Sequence, residues 1–453
     1  MVKVKEWVEK EFETLSFKSL RLERRFKMVM SDLSEQPDKS IWLASGSRSN
    51  AKAVYRLIAN EKCEKERILS AHREAVSKRN EETVLLAIQD TMSVNYDGHK
   101  KTEGLGYNSE KSLGINCHNC VLMTQIGVPI GLLSQSVTTR EESKSEKSHH
   151  EKRIRPIEEK ESYRWLETME TASANAPVGA KLIHITDREG DIYELYGLAD
   201  RTGESFVIRA FHNRLNTENA HIMDILSQSA VAGKVKTVIP ANHATKSKER
   251  EAVFSVRYKS FDVKKPKILY REKDLPSSLR LNLISVREED APEGTEPIEW
   301  LLMTNLELDT VEDAVRAIDL YRHRWKIERF HYVLKSGCEI EKIQQRSVDS
   351  IELVILMYSI IAIHIMQLTY TARTAPDTPC DLIFSEDEWK TLYRAANYTR
   401  EAPVEPYSMA LAVRYVAKLG GFIGAKSDGE PGLKVIWIGL NKLFILCAYR
   451  DWI

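Results

Sequence analysis

The sequence predicts an α/β protein: a mixed-sheet core interrupted by a β-rich insertion and flanked by helical segments. Three observations carry this reading. The short apolar runs "TVLLAIQD" (83–90) and "AKLIHITD" (180–187) each end in an aspartate and read as buried strands. Helical patterns fill the first 75 residues or so and the chain beyond 375. Between about 212 and 303 the pattern is mostly β, with "KVKTVIPA", "AVFSVRYKSFDV", "LRLNLISVRE" and "IEWLLMTN" as strands.

Taken in order, the elements give helical residues 1–75, a core over 76–375 with the insertion at about 212–303, and helical residues 376–453. In the first part, "SFKSLRLERRFKMVM" places Arg21, Arg24 and Arg25 at helical spacing. "ASGSRSNAKAVYRLI" is a Gly/Ser-rich basic loop running into a helix, with Ser49 or Asn50 as its cap. Arg48, Lys52 and Arg56 recur every four residues and share a face once that helix starts. Such a face is either merely solvated or a contact for phosphates. After the strand ending at Asp90 come hairpin strands at 119–125 and 129–137, a charged surface loop over 139–162 and a helix in "ESYRWLETMETASANA". The strand ending at Asp187 leads into a helix near Ile192, and "SFVIRAF" is a further strand.

Composition excludes several classes. The 453 residues are 42% hydrophobic and 29% charged, ordinary for globular domains. Lys+Arg and Asp+Glu number 66 each, so any nucleic-acid site is a local basic patch balanced by acids elsewhere. Six cysteines make no disulfide framework and suit a reducing, cytoplasmic setting. The lone CxxC of Cys117 and Cys120 has no second pair at zinc spacing and falls in the hairpin. The N-terminus has no apolar signal core. The run "IELVILMYSIIAIHIMQLTY" is interrupted by Glu352, His364 and Gln367, and reads as a buried core helix rather than a membrane span.

Two features concentrate chemistry. Asp90 and Asp187 end predicted buried strands, the edge where α/β folds build sites. The segment "YRHRWKIERFHYVLK" (321–335) reads as a helix, starting near Thr310, with Tyr321, Arg324, Glu328 and Lys335 on one stripe. At about 100° per residue these four fall within an arc of about 60°. Leu320, Ile327 and Leu334 form an apolar stripe beside them. Alone, the charged stripe is a solvated face with weak ion pairs. With two strand-end acids nearby, Glu328 becomes a third carboxylate. Three carboxylates in one site require raised pKa values or neutralising cations. Oxygen-only donors suit two Mg²⁺, with Mn²⁺ able to substitute. Arg324 and Lys335 would then hold phosphates.

These residues carry a resemblance. The sequence resembles the bacterial DDE transposases of cut-and-paste insertion sequences, the hairpin-forming group with the YREK signature, here Tyr321, Arg324, Glu328 and Lys335. The resemblance extends to "LLAIQDTMS", "TDREGDIYELY", "FVIRA", "EWLLMTN" and "KLGGFIGAKSDGEPG", nearly the whole chain. It implies a ribonuclease-H-like catalytic core, an N-terminal end-recognition domain and a C-terminal dimerisation domain. It implies that Asp90, Asp187 and Glu328 bind two divalent ions. It implies further that Tyr321, Arg324, Lys335 and Arg209 grip phosphates, and that Trp300 stacks on a flipped base. For Trp300 the bland reading is a buried strand aromatic. The partners implied are double-stranded DNA, as inverted repeats and as target, and a second copy of the chain in a synaptic dimer, with no membrane. The first motif departs from the family's Asp-Thr-Thr at Met92, and Arg329 and Tyr332 stand where relatives carry an acid and a base. None of these removes a metal ligand. Two readings compete: a non-catalytic or domesticated DNA-binding derivative, and an ordinary metal-dependent nuclease. Met28 and Met30 are candidate starts for a shortened product.

Overall fold

A computed structural model describes residues 4–36, 39–140, 155–239, 249–269, 274–425 and 429–448. The charged loop expected over 139–162 lies largely outside the described residues, as do the end of "KVKTVIPA" and residues 426–428 of the last quoted motif. The chain opens with helices α1 (Glu6–Glu11), α2 (Leu20–Glu35), α3 (Ile41–Ala44), α4 (Arg48–Ile58) and α5 (Lys65–Arg79). Strands β1 (Val84–Asn95), β2 (Gly106–Tyr107), β3 (Leu113–Thr124) and β4 (Pro129–Thr138) follow. Next come α6 (Tyr163–Ala174), β5 (Lys181–Thr186), α7 (Tyr193–Thr202) and β6 (Ser205–Arg209). The insertion supplies α8 (Ile222–Ser227), β7 (Gly233–Ile239), β8 (Arg250–Lys264), β9 (Ser278–Glu289) and β10 (Glu299–Thr304). The last elements are α9 (Val311–Arg322), α10 (Trp325–Tyr332), α11 (Val348–Thr374), α12 (Glu386–Asn397), α13 (Met409–Leu419) and α14 (Leu433–Ala448).

All ten described strands join one mixed sheet, ordered β2-β3-β1-β5-β6-β10-β9-β8-β7, with β4 also on β3. β1 runs antiparallel to β3 and parallel to β5, and β5 parallel to β6. The insertion is therefore not a separate body: β10 pairs antiparallel with β6 and carries the sheet outward. Helix α8 was not expected. Its six residues bury only Ile222 and Leu226, too short a stretch for its period to register.

The sheet is buried on both faces. Along β1, Leu86 and Ile88 enter one core while Leu85 and Ala87 enter another, because successive strand side chains point to opposite sides. Along β6, Val207 and its neighbours Phe206 and Ile208 divide in the same way. The first face is covered by α9 to α11 and the terminal helices, and the other by α6 and α7. Burying each of these large aliphatic side chains contributes about 1.5–3 kcal/mol. Cys117 and Cys120, three apart on β3, are buried in different cores, so they are packing residues that face away from each other.

Helix α11 is the spine of the first face. Among the described residues it alone is long and apolar enough to cross a membrane, yet 83% of its apolar window is buried in protein. Its polar interruptions serve as handles for the N-terminal helices. Glu352 pairs with Lys65, and His364 stacks on Trp7 with ring centroids 4.4 Å apart. Nearby, Glu11 is buried between His72 and Arg79. Burial pushes its carboxyl up, but Arg79 and His72 outweigh burial and hold it at about 2.

Candidate active site

The pairing pattern explains where a cleft opens. β1 and β5 pair in parallel only from Val84↔Lys181 to Ile88↔Ile185. Beyond that point β5 ends at Thr186 and the strands part. Asp187 stands directly after the end of β5, and Asp90 lies two residues past the last β1–β5 pair. The sequence reading ended β1 at Asp90; the structure continues it to Asn95. Its polar residues after Asp90 remain paired with β3, from Asp90↔Asn119 to Asn95↔Gly114. Asp90 is thus at the end of the strand with respect to β5 alone.

Helix α9 begins where expected. Thr310 and Asp313 form a capping box, each accepting from the other's main-chain N–H. The single helix expected through residue 335 is not observed. At its junction with α10 the chain tightens into i→i+3 bonds, Arg324 N–H to Tyr321 O at 2.9 Å and Ile327 N–H to Arg324 O at 3.1 Å. A 3₁₀ turn eclipses residues three apart, so Tyr321 and Arg324 stack over each other. After α10 the chain widens into a π-helical turn, Val333–Gly337, which carries Lys335. The stripe is therefore shaped by one tight and one wide turn. Its apolar companions Leu320, Ile327 and Leu334 are buried as expected.

A cleft of about 680 Å³ gathers Asp90, Asp187, Arg209, Tyr321, Arg324, Glu328 and Lys335, together with Arg188, Glu110 and His331. Burial, with Asp187 as the next cause, pushes the Asp90 carboxyl up to about 7 although Arg324 opposes this. Burial also raises Asp187. Two strand-end acids therefore face each other in a low-dielectric cleft. Glu328 is turned differently. Arg324 lies between the acids, its Nη1 3.6 Å from Asp90 Oδ2 and its Nη2 2.5 Å from Glu328 Oε1. As a result, the described residues contain no ready-made group of three carboxylates close enough to hold one metal ion.

The donor chemistry of the cleft nevertheless fits a divalent ion. Its acids are hard oxygen donors, and burial beside Asp187 pushes the Asp90 carboxyl up to about 7 despite Arg324, a cost that a bound cation would offset. Asp90 and Asp187 would hold such an ion directly, with Glu328 joining them once Arg324 turns away.

The other expected residues are distributed as follows. The Tyr321 ring is buried and meets Trp300 edge-on at 5.5 Å, while the residue still lines the cleft. Arg209 donates to the Glu299 carbonyl and lies 6.0 Å from the Trp300 ring centre. Trp300 itself does not line the cleft; it is half-buried and lines a neighbouring apolar cavity with Phe254, Val286 and Ile318. The bland reading thus accounts for much of its surface. Lys335 lies 3.6 Å from Glu341.

Arg48, Lys52 and Arg56 are all exposed on α4, far along the chain from the cleft. The cap of that helix is Ser47 rather than Ser49 or Asn50: its hydroxyl accepts from Asn50 N–H at 3.2 Å. The earlier start brings Arg48 into the helix and keeps the three cations on one face. Beside them, Arg21, Arg24, Arg25, Arg56 and Lys62 line a groove of about 770 Å³ between α2 and α4.

Asp191 was missed at the sequence level. Its carboxylate accepts from Phe211 N–H at 2.7 Å, His212 N–H at 2.8 Å and the Tyr196 hydroxyl at 2.7 Å, and it pairs with Arg214. It ties the turn after Asp187 to the loop that leaves Arg209. A second acid four residues after a strand-end acid was the available signal.

Comparisons with known proteins fit both ends of the chain. Residues 4–63 match the transposase DNA-binding family, and residues 360–450 match the Tn5 transposase dimerisation domain. A DNA-binding family model thus matches the N-terminal helices and a dimerisation family model the C-terminal ones. A solved piggyBac transposase synaptic complex with hairpin DNA is similar over 68% of this chain at 9% identity and a TM-score of 0.34. This chain spans 52% of that one, and the likeness is too distant to carry fold or function.

Proposed function

We propose that the chain is a DDE transposase of the hairpin-forming cut-and-paste group, with a ribonuclease-H-like core. It binds the inverted-repeat ends of an insertion sequence, cuts the strands there and joins the freed ends to target DNA. The observation that carries the reading is the pair Asp90 and Asp187, set at adjacent parallel strand exits in a cleft rimmed by Arg188, Arg209, Arg324 and Lys335. The matches at residues 4–63 and 360–450 support it by supplying DNA binding and dimerisation on either side of that cleft. The antiparallel hairpin β3–β4 beside the parallel strands β1, β5 and β6 supports the fold assignment.

In this reading Asp90, Asp187 and Glu328 hold Mg²⁺, with Mn²⁺ able to replace it. Two such ions, when bound, supply charge stabilisation and an activated oxygen for in-line attack at phosphorus. The protein's own work is binding and orientation. Arg324, now on Asp90 and Glu328, exchanges these carboxylates for a phosphate, which frees Glu328. Lys335 and Arg209 hold neighbouring phosphates, and the buried Tyr321 ring sets the height of Arg324 through the tight turn between them. Trp300 offers its remaining open face to a displaced base. Arg48, Lys52 and Arg56 grip the end duplex through its backbone, and the paired copies align two ends.

One observation favours the non-catalytic alternative: the Arg324–Glu328 pair already satisfies the third acid. Cleavage of a labelled duplex carrying the element's own terminal repeat, in Mg²⁺ or Mn²⁺, separates the readings. Cutting at the repeat boundary that is lost in Glu328→Ala supports the transposase. Specific binding without cutting supports the DNA-binding derivative, and cutting at any position supports a plain nuclease.

A further inference from the structure

The two aspartates of the cleft are held in the same manner. Thr91 N–H donates to Asp90 Oδ1 at 2.8 Å, and Glu189 N–H donates to Asp187 Oδ1 at 2.8 Å. One oxygen of each carboxylate is thus fixed by the main chain of a residue just beyond it. The side chains of these same two donors meet at one guanidinium, that of Arg164 at the start of α6. Arg164 Nε donates to Thr91 Oγ1 at 3.0 Å, and its Nη2 donates to Glu189 Oε2 at 2.5 Å. Its remaining arm, Nη1, donates to the Glu161 carbonyl at 2.7 Å and anchors the group.

The chain of bonds runs one step further. The Thr91 hydroxyl also shares a hydrogen bond with His118 Nδ1 at 2.7 Å. The imidazole is itself buried against Trp165. Thr91 is therefore held from both sides, and with it the amide that aims Asp90.

A guanidinium is planar and presents its donors as a rigid fork, so acceptors on its edges are kept at a set separation. A lysine there would be a single point charge and could not bracket both residues. Nor is the contact explained by stability alone. The Glu189 side chain is 58% exposed, where an ion pair is worth little. We infer that Arg164 is a positioning residue: through Thr91 and Glu189 it sets the aim and spacing of the Asp90 and Asp187 carboxylates toward a shared divalent cation. This rests on the reading of those two aspartates as the cation-binding pair.

Titration of the full-length protein with Mn²⁺ alone, followed by electron paramagnetic resonance, tests it. Wild type, Asp90→Asn, Arg164→Gln, Arg164→Lys and Glu189→Gln are compared, with melting midpoints recorded for each. Residues that orient metal ligands typically alter affinity by about 10- to 100-fold. Arg164→Gln is expected to weaken Mn²⁺ by a factor in that range. Arg164→Lys and Glu189→Gln are expected to weaken it less and to broaden the bound-ion signal, with the Glu189→Gln midpoint unchanged. Wild-type affinity and line shape in both Arg164→Lys and Glu189→Gln would overturn the assignment, and these two variants decide the matter even if Arg164→Gln fails to fold. Equal Mn²⁺ binding by wild type and Asp90→Asn is a different outcome. It would remove the metal reading of the cleft, and the role of Arg164 with it.

Discussion

Replacing Asp90 by asparagine should stabilise the metal-free protein while abolishing its chemistry. The Asp90 side chain is 17% exposed, and burial with Asp187 raises its carboxyl from 3.8 to about 7 even with Arg324 3.6 Å away. An acid whose folded pKa is raised costs nothing below its unfolded value. The cost grows as pH rises between the two values and is constant above the folded one. At about 1.4 kcal/mol per pH unit, the full cost is about 4 kcal/mol above pH 7. Asparagine removes the charge but still accepts from Thr91 N–H. Asp90→Asn should therefore melt several degrees higher than wild type at pH 8, with the gap closing toward pH 4. Added Mg²⁺ should narrow the gap at pH 8, because it stabilises only the protein that binds it. Thermal melts of both proteins across this pH range, with and without Mg²⁺, are the assay. A variant that is equally stable at every pH, or less stable at pH 8, would refute the electrostatic account of the cleft.

Other outcomes follow from the same structure. Glu328→Gln breaks a pair whose carboxylate is 45% exposed, so its melting midpoint should shift by no more than about 1 kcal/mol equivalent while strand cleavage is lost. Glu11→Gln should cost about 3 kcal/mol at pH 7, since it removes the partner of Arg79 and His72. Because the Glu11 carboxyl is lowered from 4.5 to about 2, that difference should be full above pH 4.5 and vanish as pH falls through 2, as read by urea denaturation. Converting Arg48, Lys52 and Arg56 to alanine should weaken duplex binding and flatten its salt dependence, by about 0.9 in log–log slope for each lost phosphate contact. An unchanged slope would remove that face from the interface.

Much of this arrangement was readable from residues alone. The runs ending at Asp90 and Asp187 could be placed because buried strands are short, apolar and bounded by polar residues. The break at His323–Arg324 could not, because no glycine or proline marks it and the apolar spacing of Leu320, Ile327 and Leu334 continues across it. β1 was read too short because its second half is polar where it leaves β5 and faces the cleft. How the insertion joins the core sheet was not legible, because pairing of β10 with β6 links residues about 95 positions apart. Arg164 is the clearest limit. Its partners Thr91 and Glu189 lie 73 and 25 residues away on different elements, and nothing in a helix that starts "YRWLE" signals either.

The central claim is that the cleft holds divalent ions between its carboxylates and DNA phosphates. A crystal of the protein with its terminal-repeat duplex, grown in Mn²⁺ and measured for anomalous scattering, addresses it most directly. The account predicts manganese peaks bounded by Asp90 and Asp187, with Glu328 drawn in and Arg324 moved onto a phosphate. A DNA-bound structure with no manganese at these aspartates, and Arg324 still paired to Glu328, would contradict it.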